Sequence, residues 1–178
     1  MKTGYLAILL LALLPSLSAA GERQPKMILG WLETTEFVDS GMRIKTKLDP
    51  GARTSSMQAT NIEHFTRDGA PWVRFDFTDE NMVTGKEQTL HLQGPLVREV
   101  QIKRHGAPNV TRPVVAQEIC LYHQIYRAEF SLTDRDKFNY AILLGRVFLE
   151  DVALVDSSET FLSRPDCDGH TAVRNLID

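Results

Sequence analysis

With 178 residues, 20 Lys and Arg against 23 Asp and Glu, and a formal net charge of −3, the chain can bury one sizeable core but not two. The near-balanced charge, without a clustered basic face, excludes a nucleic-acid footprint. No His-Glu-x-x-His, Cys-x-x-Cys or Gly-x-x-x-x-Gly-Lys-Ser/Thr pattern occurs, so neither a metal nor a cofactor is expected.

Residues 1–20 read as a cleavable signal peptide. Lys2 gives a positive start, Tyr5–Leu14 is apolar, Pro15 ends the run, and Ser18-Ala19-Ala20 supplies the small residues of a cleavage site. The apolar run is shorter than the about 20 residues a permanent membrane helix needs. Residues 21–178 would then be one exported domain, periplasmic or secreted, with 21–26 as a short leader. Such a domain meets oxidising conditions, so Cys120 and Cys167 either form a disulfide or remain two thiols; sequence does not set the distance between them.

From Met27 onward the periodicity is mostly two. Met27–Leu32 is a continuous apolar run, read as a strand buried on both sides, and Asp39-Ser40-Gly41 is turn-like. Ile44, Thr46 and Leu48 alternate with Arg43, Lys45 and Lys47, a strand whose basic residues form its solvated face. Lys47-Leu48-Asp49-Pro50-Gly51-Ala52-Arg53-Thr54-Ser55-Ser56 then runs a strand into an Asp, a Gly-containing turn and hydroxyl residues. An Asp opening a Pro-Gly turn is by itself a common structural device.

Val73, Phe75 and Phe77 alternate with polar neighbours, between possible hairpin tips at Asp68-Gly69 and at Asp79–Gly85. Gly94-Pro95 and His105-Gly106 are further turns, flanking a strand around Val100 and Ile102. Ala141–Leu144 and Val152–Val155 are apolar runs read as buried strands, and Arg146–Glu150 after Gly145 is the best helix. From about Asp166 the chain is polar and reads as a loosely held tail. Many short strands with frequent turns predict an all-β domain, closed or sandwich-like.

Two stretches carry a resemblance. Asp49-Pro50-Gly51-Ala52 looks like the Asp-Thr-Gly-Ala loop of retropepsin-type aspartic peptidases. Leu143-Leu144-Gly145-Arg146, about 95 residues on, looks like the segment that packs behind that loop. Gly30-Trp31-Leu32-Glu33, Lys47–Ala59, Trp72–Phe75, Arg112–Val115, Ser131–Arg135 and Leu154-Val155-Asp156 follow in the order of a bacterial retropepsin-like family labelled ATP-dependent zinc proteases. Some of its members are encoded beside ATP-grasp ligases that add amino acids to protein tails.

The resemblance implies a closed retropepsin-like barrel with one short helix, and a homodimer in which each copy supplies Asp49. Gly51, Ala52, Arg53 and Thr54 would line the path of a peptide or protein substrate. Leu144, Gly145 and Arg146 would support the loop, Arg146 by pairing with an acidic group. Two close carboxylates cannot both ionise and so share a proton, as acid and base for amide hydrolysis. Asp156 is the internal alternative for the second carboxylate, but lacks the following Gly and reads as a strand-end turn residue.

Pro50 departs from the family's Thr or Ser. It has neither hydroxyl nor N–H, and so removes paired hydrogen bonds worth about 0.5–1.5 kcal/mol each across the dimer axis. That departure motivates a second reading, a degenerate module that binds a peptide or a membrane-protein partner in the cleft. A structural envelope protein without a cleft function is a third.

Overall fold

The computed structural model describes residues 25–104 and 106–177, so the signal-peptide reading of residues 1–20 lies outside the described residues. Eleven strands and one helix follow in chain order. They are β1 Met27–Phe37, β2 Met42–Leu48, β3 Ser56–Gln58, β4 Thr60–Arg67, β5 Ala70–Asn81, β6 Lys86–Arg104, β7 Ala107–Leu121 and β8 Gln124–Thr133. Then come β9 Ile142–Leu144, α1 Arg146–Val152, β10 Ala153–Thr160 and β11 Val173–Asn175.

The chain is mostly β, as the alternation predicts, and six strands close a ring: β1–β2–β9–β3–β8–β7, with β7 returning to β1. The closing contact is short, only Thr35↔Leu121 and Glu36↔Cys120. The ladder also continues outward, through β6, β5 and β4 on one side and β10 on the other. The closed barrel of the expectation is therefore a ring with an attached sheet.

Alternation in β2 translates directly into burial: Met42, Ile44, Thr46 and Leu48 are at most 1% exposed. Met42, Ile44 and Leu48 meet Met57, Ile119, Phe130, Leu132, Ile142 and Leu144 in one core, shared with Phe75 and Phe77 of β5, Phe77 standing edge-on to Phe37 at 5.0 Å.

Several readings change in three dimensions. Gly94-Pro95 is no turn: β6 runs straight through it, pairing with β5 up to Pro95 and with β7 from Leu96. The pair marks where one long strand passes from one sheet to the other. A Cβ at Gly94 would lie 2.6 Å from the Ala116 carbonyl oxygen. The run Val152–Val155 straddles the end of α1, and Leu154 and Ile28, neighbours in the β1–β10 register, both face outward.

The segment from Asp166 is anchored rather than loose. Cys120 and Cys167 are joined by a disulfide with a Cα separation of 6.1 Å, and β11 pairs in parallel with β8. Just before it, the fully buried Glu33 carboxylate accepts from Gly30 N, Leu162 N, Ser163 N and Ser163 Oγ at 2.7–3.0 Å. Four donors offset the desolvation of that charge and tie residues 162–163 to β1.

Candidate active site

Asp49 is the first residue beyond β2, and β9 lies between the two strands that flank its loop. Leu143 and Leu144 pair in parallel with Lys47 and Leu48, and Leu143 and Ile142 in antiparallel with Ser56 and Met57. The ladder carries on to Asp49 itself, whose N–H donates to the Leu144 carbonyl at 2.8 Å.

Residues 50–53 are held through their carbonyls. Arg146 Nη1 donates to Pro50 O and Gly51 O at 2.9 and 3.0 Å. Arg146 N donates to Ala52 O at 2.9 Å, and Val147 N to Arg53 O at 3.1 Å. The opening amides of α1, which need partners outside the helix, thus find them in the loop, and no capping side chain is used.

The expected loop support by Arg146 is made to carbonyls and not to an acidic group. Gly145 brings the two segments into contact: a Cβ there would lie 2.6–2.9 Å from the Thr54 backbone, while its N–H donates to Ser55 Oγ at 3.1 Å. Ser55 is held from its other side by Ser131, whose N and Oγ both donate to Ser55 O at 3.1 Å.

The Asp49 carboxylate has two partners. Gly51 N donates to Oδ1 at 3.0 Å and Lys47 Nζ to Oδ2 at 2.8 Å. The Lys47 hydrogen bond, reinforced by the Gly51 and Ala52 amides and the ammonium charge, holds the carboxyl below its ordinary range; partial burial opposes this. In the sequence Lys47 belongs to the basic, solvated face of its strand and opens the stretch that holds Asp49. Its position two residues before Asp49 on the same side of the strand is the signal that could have singled it out. Pro50 is exposed, with its ring at the loop surface.

Arg53 and Thr54 are exposed and line a groove of about 360 Å³, bordered by Arg98, Glu129, Phe148 and Leu176. Val100 on β6 and Val114 on β7 line its narrow continuation beside Thr54 and Ser55.

The hairpin tips expected at Asp68-Gly69 and Asp79–Gly85 are both formed. The Asp79–Gly85 tip is fastened at the opposite end of β2, where Met82 N donates to Arg43 O at 2.8 Å. That point is about 20 Å along the strand from Asp49. Asp68-Gly69 turns the β4–β5 hairpin at its outer end. Asp156 is half-buried and accepts from Ser158 N and Oγ, a local turn at a bulge in the β1–β10 pairing. Among the described residues no cluster of three or more His, Cys, Asp and Glu side chains has metal-site geometry.

An Asp-Pro-Gly loop at a strand end, a third strand threaded between its flanks and a Gly-Arg turn clamping its carbonyls define a retropepsin-like protein. The chain belongs to the RimB-like family, described as retropepsin-like aspartic endopeptidase RimB, whose sequence model matches residues 28–166. It is 36% identical over 137 residues to a protein of Shewanella pealeana named probable alpha-L-glutamate ligase, which covers 76% of this chain and 30% of that one. A protein of the same name from Desulfotalea psychrophila is 32% identical over 132 residues, 74% of this chain and 28% of its own length. The chain thus spans less than a third of those relatives, most of whose length has no counterpart in the match. A crystal structure of a Legionella pneumophila protein of unknown function superposes with a TM-score of 0.67 at 31% identity, covering 79% of this chain and all of that one.

Proposed function

We propose that this protein is an aspartic peptidase that hydrolyses peptide or amide bonds in a homodimer, with one Asp49 from each copy. The observation that carries the reading is the loop itself. Four consecutive carbonyls, Pro50 to Arg53, are clamped by Arg146 and Val147, and this fixes Asp49 Oδ1 on the Gly51 amide.

Among the described residues one copy holds a single such loop, so a C2 partner supplies the second carboxylate. The ionised member of the pair takes a proton from water as the oxygen attacks the scissile carbonyl carbon. The protonated member donates to the carbonyl oxygen, and the C–N bond then breaks as the amine takes up a proton. Val100 of β6 and Val114 of β7 supply apolar lining beside Thr54 and Ser55. The disulfide fits an oxidising compartment, and with the reading of residues 1–20 it supports a periplasmic location. The ligase activity in the relatives' names is not transferred, because the match covers 30% or less of those proteins.

The Lys47–Asp49 ion pair, which occupies Oδ2, favours a second reading: a module on the same fold that binds a peptide or a membrane-protein partner without cutting it. The deciding experiment is cleavage of a mixed peptide library from about pH 4 to 8, with Asp49→Asn alongside. The peptidase requires cutting by the wild type and none by Asp49→Asn. Absence of cutting by both, from a protein that stays monomeric at high concentration, leaves the binding module.

A further inference from the structure

The family match stops at residue 166, and the next residue is Cys167, which the disulfide fastens to Cys120 at the end of β7. The segment beyond it returns to the body of the protein. Val173, Arg174 and Asn175 pair with Ile125, Tyr126 and Arg127 of β8, and Leu176 N donates to Arg127 O at 2.9 Å. A strand anchored in this way, outside the matched region, ends beside the Asp49 loop, because Leu176 lines the groove that Arg53 and Thr54 border.

The groove also has an unfilled strand edge. On the side of β8 away from β7, β11 pairs as far as Arg127 and β3 begins at Ser131. Ser131 N reaches Ser55 O on that edge, and Arg127 O receives Leu176 N there. The two-residue period therefore turns the Glu129 N–H and C=O to the same edge, where no described strand pairs with them. The Glu129 carboxylate is already paired with Arg98, so the edge offers backbone groups flanked by apolar walls from Val147, Phe148 and Leu176. That combination suits an extended peptide with an apolar side chain.

We propose that Leu176, held in place by the Cys120–Cys167 disulfide, is a specificity residue: it lines the groove that Thr54 also borders and limits the size of the apolar substrate side chain admitted there. The proposal rests on the Asp49 loop being the substrate site. A methylene-scale change in an apolar pocket is worth about 10–200-fold in discrimination.

The test compares wild type, Leu176→Ala and Leu176→Trp in two ways. Cleavage of a peptide library reads kcat and KM by side-chain size, and binding of the same peptides to the Asp49→Asn protein, followed by amide NMR shifts, needs no catalysis. Leu176→Ala is expected to improve kcat/KM for aromatic side chains at one subsite by about tenfold or more, mainly through KM. Leu176→Trp should exclude large apolar side chains while small ones are still cut. Unchanged cleavage profiles in both folded variants overturn the proposal. If the wild type cuts nothing, the peptidase reading fails and the binding arm decides. Peptide-induced shifts at Thr54 and Leu176, with a size preference altered in Leu176→Ala, support the role of Leu176. Shifts elsewhere, or none, overturn it.

Discussion

Lys47 sets the electrostatics of Asp49 more than any other side chain. Its ammonium stabilises the ionised carboxylate, whereas a working pair must keep one proton between two carboxylates. Removing the cation should raise the pKa values of the pair, so Lys47→Met is expected to move the alkaline limb of the activity profile to higher pH, with Lys47→Arg close to wild type. The sign for stability is fixed by the same shift. A lowered Asp49 pKa contributes stability that is complete above the unfolded-state value, near 3.8, and is lost as pH falls through the folded one. Lys47→Met should flatten that acid dependence, as read by carboxyl NMR titration and by urea melts at several pH values.

The loop 49–54, β9 and the start of α1 function as one element, since each supplies the hydrogen bonds the others lack. Gly145 is the tightest point, because a methyl group there would meet the Thr54 backbone rather than a side chain that can swing away. Gly145→Ala is expected to cost about 1–3 kcal/mol by overpacking and to lower activity further by displacing the loop. Equilibrium denaturation and kcat/KM of the same preparation separate the two effects. Pro50 takes part in this element through its carbonyl, which accepts from Arg146 Nη1 at 2.9 Å.

At the scale of the whole molecule, the disulfide closes the last segment onto the ring. Its ends are 47 residues apart, and constraining a loop of that length in the unfolded chain stabilises by up to about 4 kcal/mol. Cys120→Ser/Cys167→Ser should lower the melting temperature and speed hydrogen exchange in β11 before it does so in β2 or β9. Assembly is the other global quantity. If each copy supplies one carboxylate, specific activity should fall on dilution in step with dimer dissociation seen by sedimentation, whereas concentration-independent activity would contradict the shared site.

By itself the sequence determined the local grammar of this protein. Alternation at Ile44, Thr46 and Leu48 chose the buried face of β2. Gly145 after an apolar run placed the strand-to-helix turn. Asp49 and the Leu143–Arg146 segment marked the site, because side-chain period and turn chemistry are properties of neighbours in the chain. The tertiary structure decided what depends on distant residues meeting. Gly94-Pro95 became a strand's passage between sheets because β5 and β7 offer it two successive partners. The polar segment after Asp166 became an ordered strand because Cys120 and the open edge of β8 receive it. Asp49 itself took its frame from far along the chain, since its N–H donates to the Leu144 carbonyl at 2.8 Å, a meeting that no local pattern specifies.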